Sequence, residues 1–184
     1  MPLTALSIRT LFESDLLNSS PDILEWEVFY MNTYERLREE ACKDGIDVID
    51  YVFQSDRMKG LYCDGAVAIN RAMDTAQKAC TLAEELGHHY TSVGNILDLE
   101  DVSNRKQERQ ARLWAYNKQI GLTGLIRAYE AGCTNRYETA EYLEVTEEFL
   151  EECIQCYRDK YGEYKVVDNY TIYFIPNLAV FKMI

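Results

Sequence analysis

Glu84-Glu85-Leu86-Gly87-His88 departs by one residue from the pattern His-Glu-x-Gly-His. In the full pattern, histidines at i and i+4 share a helix face and hold zinc, and the glutamate at i+1 polarises a metal-bound water. Here Glu85 fills the general-base position and His88 the second-ligand position, while Glu84 stands where the first histidine would be. Two outcomes are open. Glu84 ligates directly, giving a Glu-His-Glu donor set with Glu108, or the site no longer holds a catalytic metal. A carboxylate can bind zinc, but a set rich in carboxylates is harder and could favour manganese or another oxygen-preferring ion. Its extra negative charge would weaken the metal as a Lewis acid and raise the pKa of its water. Without any cation, such a carboxylate cluster around one histidine is costly.

The plain alternative is a glutamate-rich solvated helix face ended by two histidines. Against it, His88 and His89 are the only histidines of the chain, so its best transition-metal ligands are concentrated in one place. His89 lies about 100° around the helix from His88 and cannot easily share its ion. It reads as a surface or substrate-orienting residue beside the site. Glu108, on the next helical segment, can act as a third ligand. Asp98, Glu100 and Asp101 read as a solvated loop, and would replace Glu108 only if the helix register differed.

Ala83-Glu84-Glu85-Leu86-Gly87-His88-His89, followed by Glu108-x-x-Ala111-x-x-Trp114-Ala115, resembles the ImmA/IrrE family of metallo-endopeptidases of phages, mobile elements and their hosts. Lys59 to Asn70 (KGLYCDGAVAIN) resembles the hairpin that precedes that family's metal helix. The likeness spans roughly 31–175. It implies a zincin-like fold with His88 and Glu108 as metal ligands, Glu84 in the first-ligand place and Glu85 as general base. It also implies a protein substrate, typically a repressor encoded beside the protease. Met31-Asn32-Thr33-Tyr34 resembles a usual start of such chains. Residues 1–30 then form an extension with the start of the first helix, and 31–184 one metallopeptidase domain with a helical subregion at 122–162.

The elements that must position these residues are read from periodicity and punctuation. Ser20-Pro21 looks like a helix start, and Leu24, Val28, Met31, Tyr34, Leu37 and Ala41 keep helical spacing, predicting one long opening helix stopped by Lys43-Asp44-Gly45. Ile46 to Phe53 is β-branched and aromatic. Two short apolar runs flank Asp64-Gly65, a tight-hairpin signal. These three strands predict a small antiparallel sheet, with the strand near 66–70 holding an extended substrate by main-chain pairing. Asp74 or Thr75 caps the motif helix, which runs to about Tyr90. Further helices are expected at 106–120, 122–131, 136–143 and 146–161, capped at Thr146. The tail from Tyr164 reads as short strands or a hairpin. The expected class is α+β, mostly helical.

A net charge of −12 argues against a nucleic-acid surface. Tyr137 to Phe149 has a helix-turn-helix rhythm, but Glu147, Glu148, Glu151 and Glu152 on its second helix would repel phosphate. No apolar run is long enough to span a membrane, and no signal peptide is apparent. The six scattered cysteines, including Cys153-x-x-Cys156, read as reduced thiols of a cytoplasmic protein. A second functional class stays open: a catalytically silent protein that keeps the groove and acts as an antirepressor by docking. The oligomeric state cannot be read from the sequence.

Overall fold

The computed structural model describes residues 31–55, 57–91 and 102–183. The chain divides into two compact units, 1–32 and 33–184, and the second carries every element below. The part of the expected opening helix within 1–30, and the candidates Asp98, Glu100 and Asp101, lie outside the described residues.

Helix α1 spans Thr33–Lys43 and buries Tyr34, Leu37 and Ala41 at the expected spacing. It is not the continuation of a longer helix, because Met31 and Asn32 are non-helical. Its start is fixed from outside: the Thr33 N–H donates to the Glu144 carboxylate at 2.7 Å, and the Thr33 hydroxyl binds the same oxygen. A carboxylate on the first N–H of a helix satisfies an orphan donor and suits the helix dipole. Gly45, at φ 79°, then turns the chain out of the helix.

Strands β1 (Asp47–Tyr51), β2 (Gly60–Cys63) and β3 (Ala66–Asn70) form a sheet in the order β1-β3-β2. The hairpin β2-β3 closes through Asp64 and Gly65, both at positive φ (46° and 82°), as a two-residue turn of the I′ kind requires. One pairing departs from the antiparallel expectation: β1 runs parallel to β3, Val48 beside Val67. The tight hairpin occupies one edge of β3, so β1 can join only at the other, where the apolar Val67 and Ile69 are fully buried. This corrects the expectation for residues 66–70. β3 is the middle strand, with both edges paired, so an added strand would need the outer strand β2.

Helix α2 (Thr75–Thr91) begins with a reciprocal cap: the Gln77 N–H donates to Asp74 Oδ1 at 2.8 Å, and the Asp74 N–H to Gln77 Oε1 at 3.2 Å. Its inner face buries Ala79, Leu82, Ala83 and Leu86. Helix α3 (Val102–Gln119) packs against it where Gly87 meets Ala111 and Gln119 donates to the Ala79 carbonyl, and the small residues Ala79, Ala83, Ala111 and Ala115 are all fully buried. A Cβ at Gly87 would sit 2.4 Å from the carbonyl oxygen of Ala111. The helices therefore touch backbone to side-chain-free backbone.

Helices α4 (Gly121–Glu130), α5 (Arg136–Tyr142) and α6 (Glu147–Tyr161) follow. Asn135 and Thr146 cap the last two with their side chains, Thr146 as expected. The tail forms a second sheet, β4 (Tyr164–Val167), β5 (Tyr170–Tyr173) and β6 (Ala179–Lys182), antiparallel throughout. One face of it packs on the core through Tyr170 and Ile172. The architecture is α+β and mostly helical, as expected. All six cysteines are free thiols. Among the described residues no helix is long and apolar enough to cross a membrane.

Candidate metal centre

The close α2/α3 seam brings His88 and Glu108 face to face, one residue beyond Gly87 and three before Ala111. His88 Nε2 and Glu108 Oε2 are 3.4 Å apart. That is long for a charge-assisted hydrogen bond, which falls at about 2.7–2.9 Å. It matches the edge of a tetrahedron around one ion: donors at about 2.0–2.2 Å stand roughly 3.3–3.5 Å apart. The spacing of this pair thus fits two corners of one divalent-ion site, while the other ring nitrogen, His88 Nδ1, is buried without the hydrogen-bond partner that usually backs a ligating histidine.

Glu108 does not swing freely. Its other oxygen, Oε1, accepts from Arg112 Nε at 2.7 Å, one helical turn on. Arg112 Nη1 also lies 3.6 Å from Glu152 of α6, whose carboxylate accepts from the Tyr116 hydroxyl at 2.9 Å. One oxygen of Glu108 is therefore clamped by a guanidinium while the other faces His88, an arrangement that orients a ligand from behind.

Glu84 shares the helix face of His88 but is turned to a neighbouring cavity of ≈ 270 Å³. Lys59, Arg112, Thr146, Glu148 and Glu152 also line it. Burial pushes the Glu84 carboxyl up to about 7, with Glu152 and Glu85 adding repulsion and Arg112 and Lys59 opposing. Among the described residues no three His, Cys, Asp or Glu side chains gather closely enough to hold a metal. Glu84 thus stands beside the His88–Glu108 pair without completing it.

This has a consequence for the metal-free protein. Glu84 binds its proton more tightly folded (about 7) than unfolded (about 4.5). Folding is then favoured by protonation, and stability falls as pH rises from 4.5 through 7. Metal-free wild type is expected to lose roughly 2–3 kcal/mol more across that window than Glu84→Gln. Urea unfolding at several pH values, in chelator, reads it; parallel pH curves for the two proteins would contradict it.

Glu85 lies on the strand side of α2. Its Oε2 accepts the main-chain N–H of Tyr62 on outer strand β2 at 3.1 Å. Burial raises its pKa, and Glu108 adds repulsion, while His88 and the Tyr62 N–H oppose. A carboxylate held partly toward its neutral form is suited to accept and return a proton. His89 points elsewhere, as its helical angle requires. Its Nδ1 is 2.7 Å from the Tyr62 hydroxyl, which also accepts the Gly65 N–H at 3.2 Å. His89 therefore ties the hairpin to the motif helix.

The IrrE N-terminal-like domain model, Peptidase_M78, matches residues 43–154, more than half of the chain. The chain belongs to this peptidase family. The match covers the first sheet, the motif helix and α3 through most of α6, so it includes every site residue above. Neither the curated proteins nor the solved structures contain a match to it. Membership agrees with the resemblance drawn from the motif, and implies a divalent metal and a protein substrate without identifying either.

Sequence reasoning overlooked Arg112, Glu152, Tyr116 and the Tyr62 main chain. Arg112 was within reach, standing four residues after Glu108 on one helix face. The other three act across elements far apart in the chain, and no local spacing announces them.

Proposed function

We propose that the chain is a divalent-metal-dependent endopeptidase that cleaves a regulatory protein of the repressor class in the cytoplasm. The observation that carries this reading is the 3.4 Å pair of His88 Nε2 and Glu108 Oε2, beside a glutamate at the general-base position. His88 and Glu108 would hold the ion, with Glu84 as third ligand. Zinc or manganese, when bound, polarises the scissile carbonyl and acidifies a water.

The protein's own groups do the rest. An extended substrate pairs with the outer edge of β2 and takes over the Tyr62 N–H now held by Glu85, which frees that carboxylate. Glu85 accepts the proton of the attacking water on its carboxylate and returns it to the leaving amine. Arg112 keeps Glu108 oriented and offsets the charge of the crowded carboxylates. His89 and the Tyr62 hydroxyl hold the hairpin against the motif helix, which keeps β2 at a fixed distance from Glu85.

A second reading has one observation in its favour: Glu84 lines the cavity with Arg112, and among the described residues no third ligand is gathered. On that reading the groove docks a regulator and does not cut it. Co-expression with the regulator encoded beside the chain separates the two. The endopeptidase gives two fragments whose formation stops in chelator and resumes with zinc or manganese. An intact regulator co-purifying with metal-free protein, unaltered by added metal, would establish docking instead.

A further inference from the structure

The C-terminal sheet carries an anomaly that the peptidase reading does not use. Its inner face, with Tyr170 and Ile172, is buried. Register places Tyr164 and Val166 of β4, Thr171 and Tyr173 of β5, and Ala179 and Phe181 of β6 together on the other face. Antiparallel sheets with one solvated face are normally polar there. This one carries no charge at any of the six positions, in a chain whose net charge is −12.

The large residues of that face are open to solvent: Tyr164 51%, Val166 46%, Tyr173 38% and Phe181 56%, with Met183 beyond β6 at 44%. The rings form a ladder across all three strands, Tyr164 to Tyr173 at 5.5 Å between centroids and Tyr173 to Phe181 at 5.7 Å. The exposed apolar area is on the order of 500 Å², the scale at which a surface patch marks an interaction site.

We propose that this face is the interface of a symmetric dimer, two copies of the chain packing sheet on sheet through Tyr164, Val166, Tyr173 and Phe181. Charge selects a second copy as the occupant. Most faces of a chain at −12 repel a like chain, and this neutral face brings no carboxylates together. Shape agrees. The register rows read Tyr164-Tyr173-Ala179 and Val166-Thr171-Phe181, large-large-small and small-small-large. A two-fold axis parallel to the strands lays β4 over β6 of the second copy. Tyr164 then meets Ala179 and Val166 meets Phe181, bulky on small from both sides, while Tyr173 and Thr171 of the central strand meet their own copies on the axis. Two such patches bury on the order of 1,000 Å², the lower end of specific interfaces. The dimer is therefore concentration-dependent, and firmer at high salt, where the mutual repulsion of the acidic chains is screened.

Sedimentation equilibrium of the full chain, from about 1 to about 100 µM at low and high salt, tests this by mass action. The expected result is a mass rising from one to two chains, with the rise at lower concentration in high salt. Phe181→Lys and, on a different strand, Tyr164→Lys are each expected to weaken association at least tenfold while keeping the wild-type thermal unfolding midpoint at the low concentrations where wild type is also monomeric. A chain that stays monomeric throughout overturns the proposal and leaves the face to a different partner. A dimer that both lysine variants leave intact overturns it as well, because the interface then lies elsewhere.

Discussion

Glu85→Gln is expected to reduce cleavage of the regulator by roughly 10²–10⁴-fold, the usual contribution of a positioned general base, with fold and metal content unchanged. Glutamine has nearly the volume of glutamate, and its amide oxygen can still accept the Tyr62 N–H that Glu85 accepts at 3.1 Å. The substitution removes only the ability to take a proton from water. Glu85→Asp keeps that ability but shortens the side chain by one carbon, so it should retain part of the activity. Single-turnover cleavage at matched metal occupancy is the measurement. Activity of Glu85→Gln within tenfold of wild type would assign the base elsewhere.

Gly87→Ala should do more damage than its size suggests. The added methyl would stand 2.4 Å from the Ala111 carbonyl oxygen and 3.0 Å from its carbon, and both are backbone atoms of α3. No rotamer relieves that contact, so the helices must part. Alanine over glycine within a helix favours the variant by about 0.5–1 kcal/mol. Overpacking against a rigid seam costs about 1–3 kcal/mol or more. A net loss of roughly 2 kcal/mol is expected in urea unfolding. The same separation widens the gap between His88 and Glu108, now 3.4 Å, so divalent-metal affinity should fall along with stability. A Gly87→Ala protein as stable as wild type, with unchanged metal affinity, would mean that the seam does not set the site.

On that expectation the motif's glycine and Ala111 set the spacing of His88 and Glu108. Much of the scaffold was legible because local chemistry determined it. Asp64-Gly65 demanded a tight turn, Asp74 and Thr146 announced helix starts, and the period through Leu82, Ala83 and Leu86 put the right face of α2 inward. What stayed hidden depends on contacts between distant segments. Helix α1 begins at Thr33, and not at Ser20, because a carboxylate 111 residues away caps it. The parallel course of β1 follows from which edge of β3 the hairpin leaves free.

The site divides the same way. The face shared by Glu84 and His88, and the helix bearing Glu108, follow from spacing. The 3.4 Å approach of His88 and Glu108 and the Arg112 clamp depend on how α2 crosses α3, which spacing does not encode. Glu84 marks the limit of the motif. Its place in the motif left ligation open, whereas the structure puts it in the lining of the adjoining cavity, where burial pushes its pKa up to about 7.

Whether the seam holds a metal is decided by a crystal structure of the chain loaded separately with zinc and with manganese, the ion located by anomalous scattering. One ion is expected at the α2/α3 seam, with His88 Nε2 and Glu108 Oε2 both within about 2.0–2.3 Å of it and Glu84 turned in from its cavity. At saturating metal, a seam without an ion, Arg112 still on Glu108 and Glu84 still in the cavity would contradict that expectation.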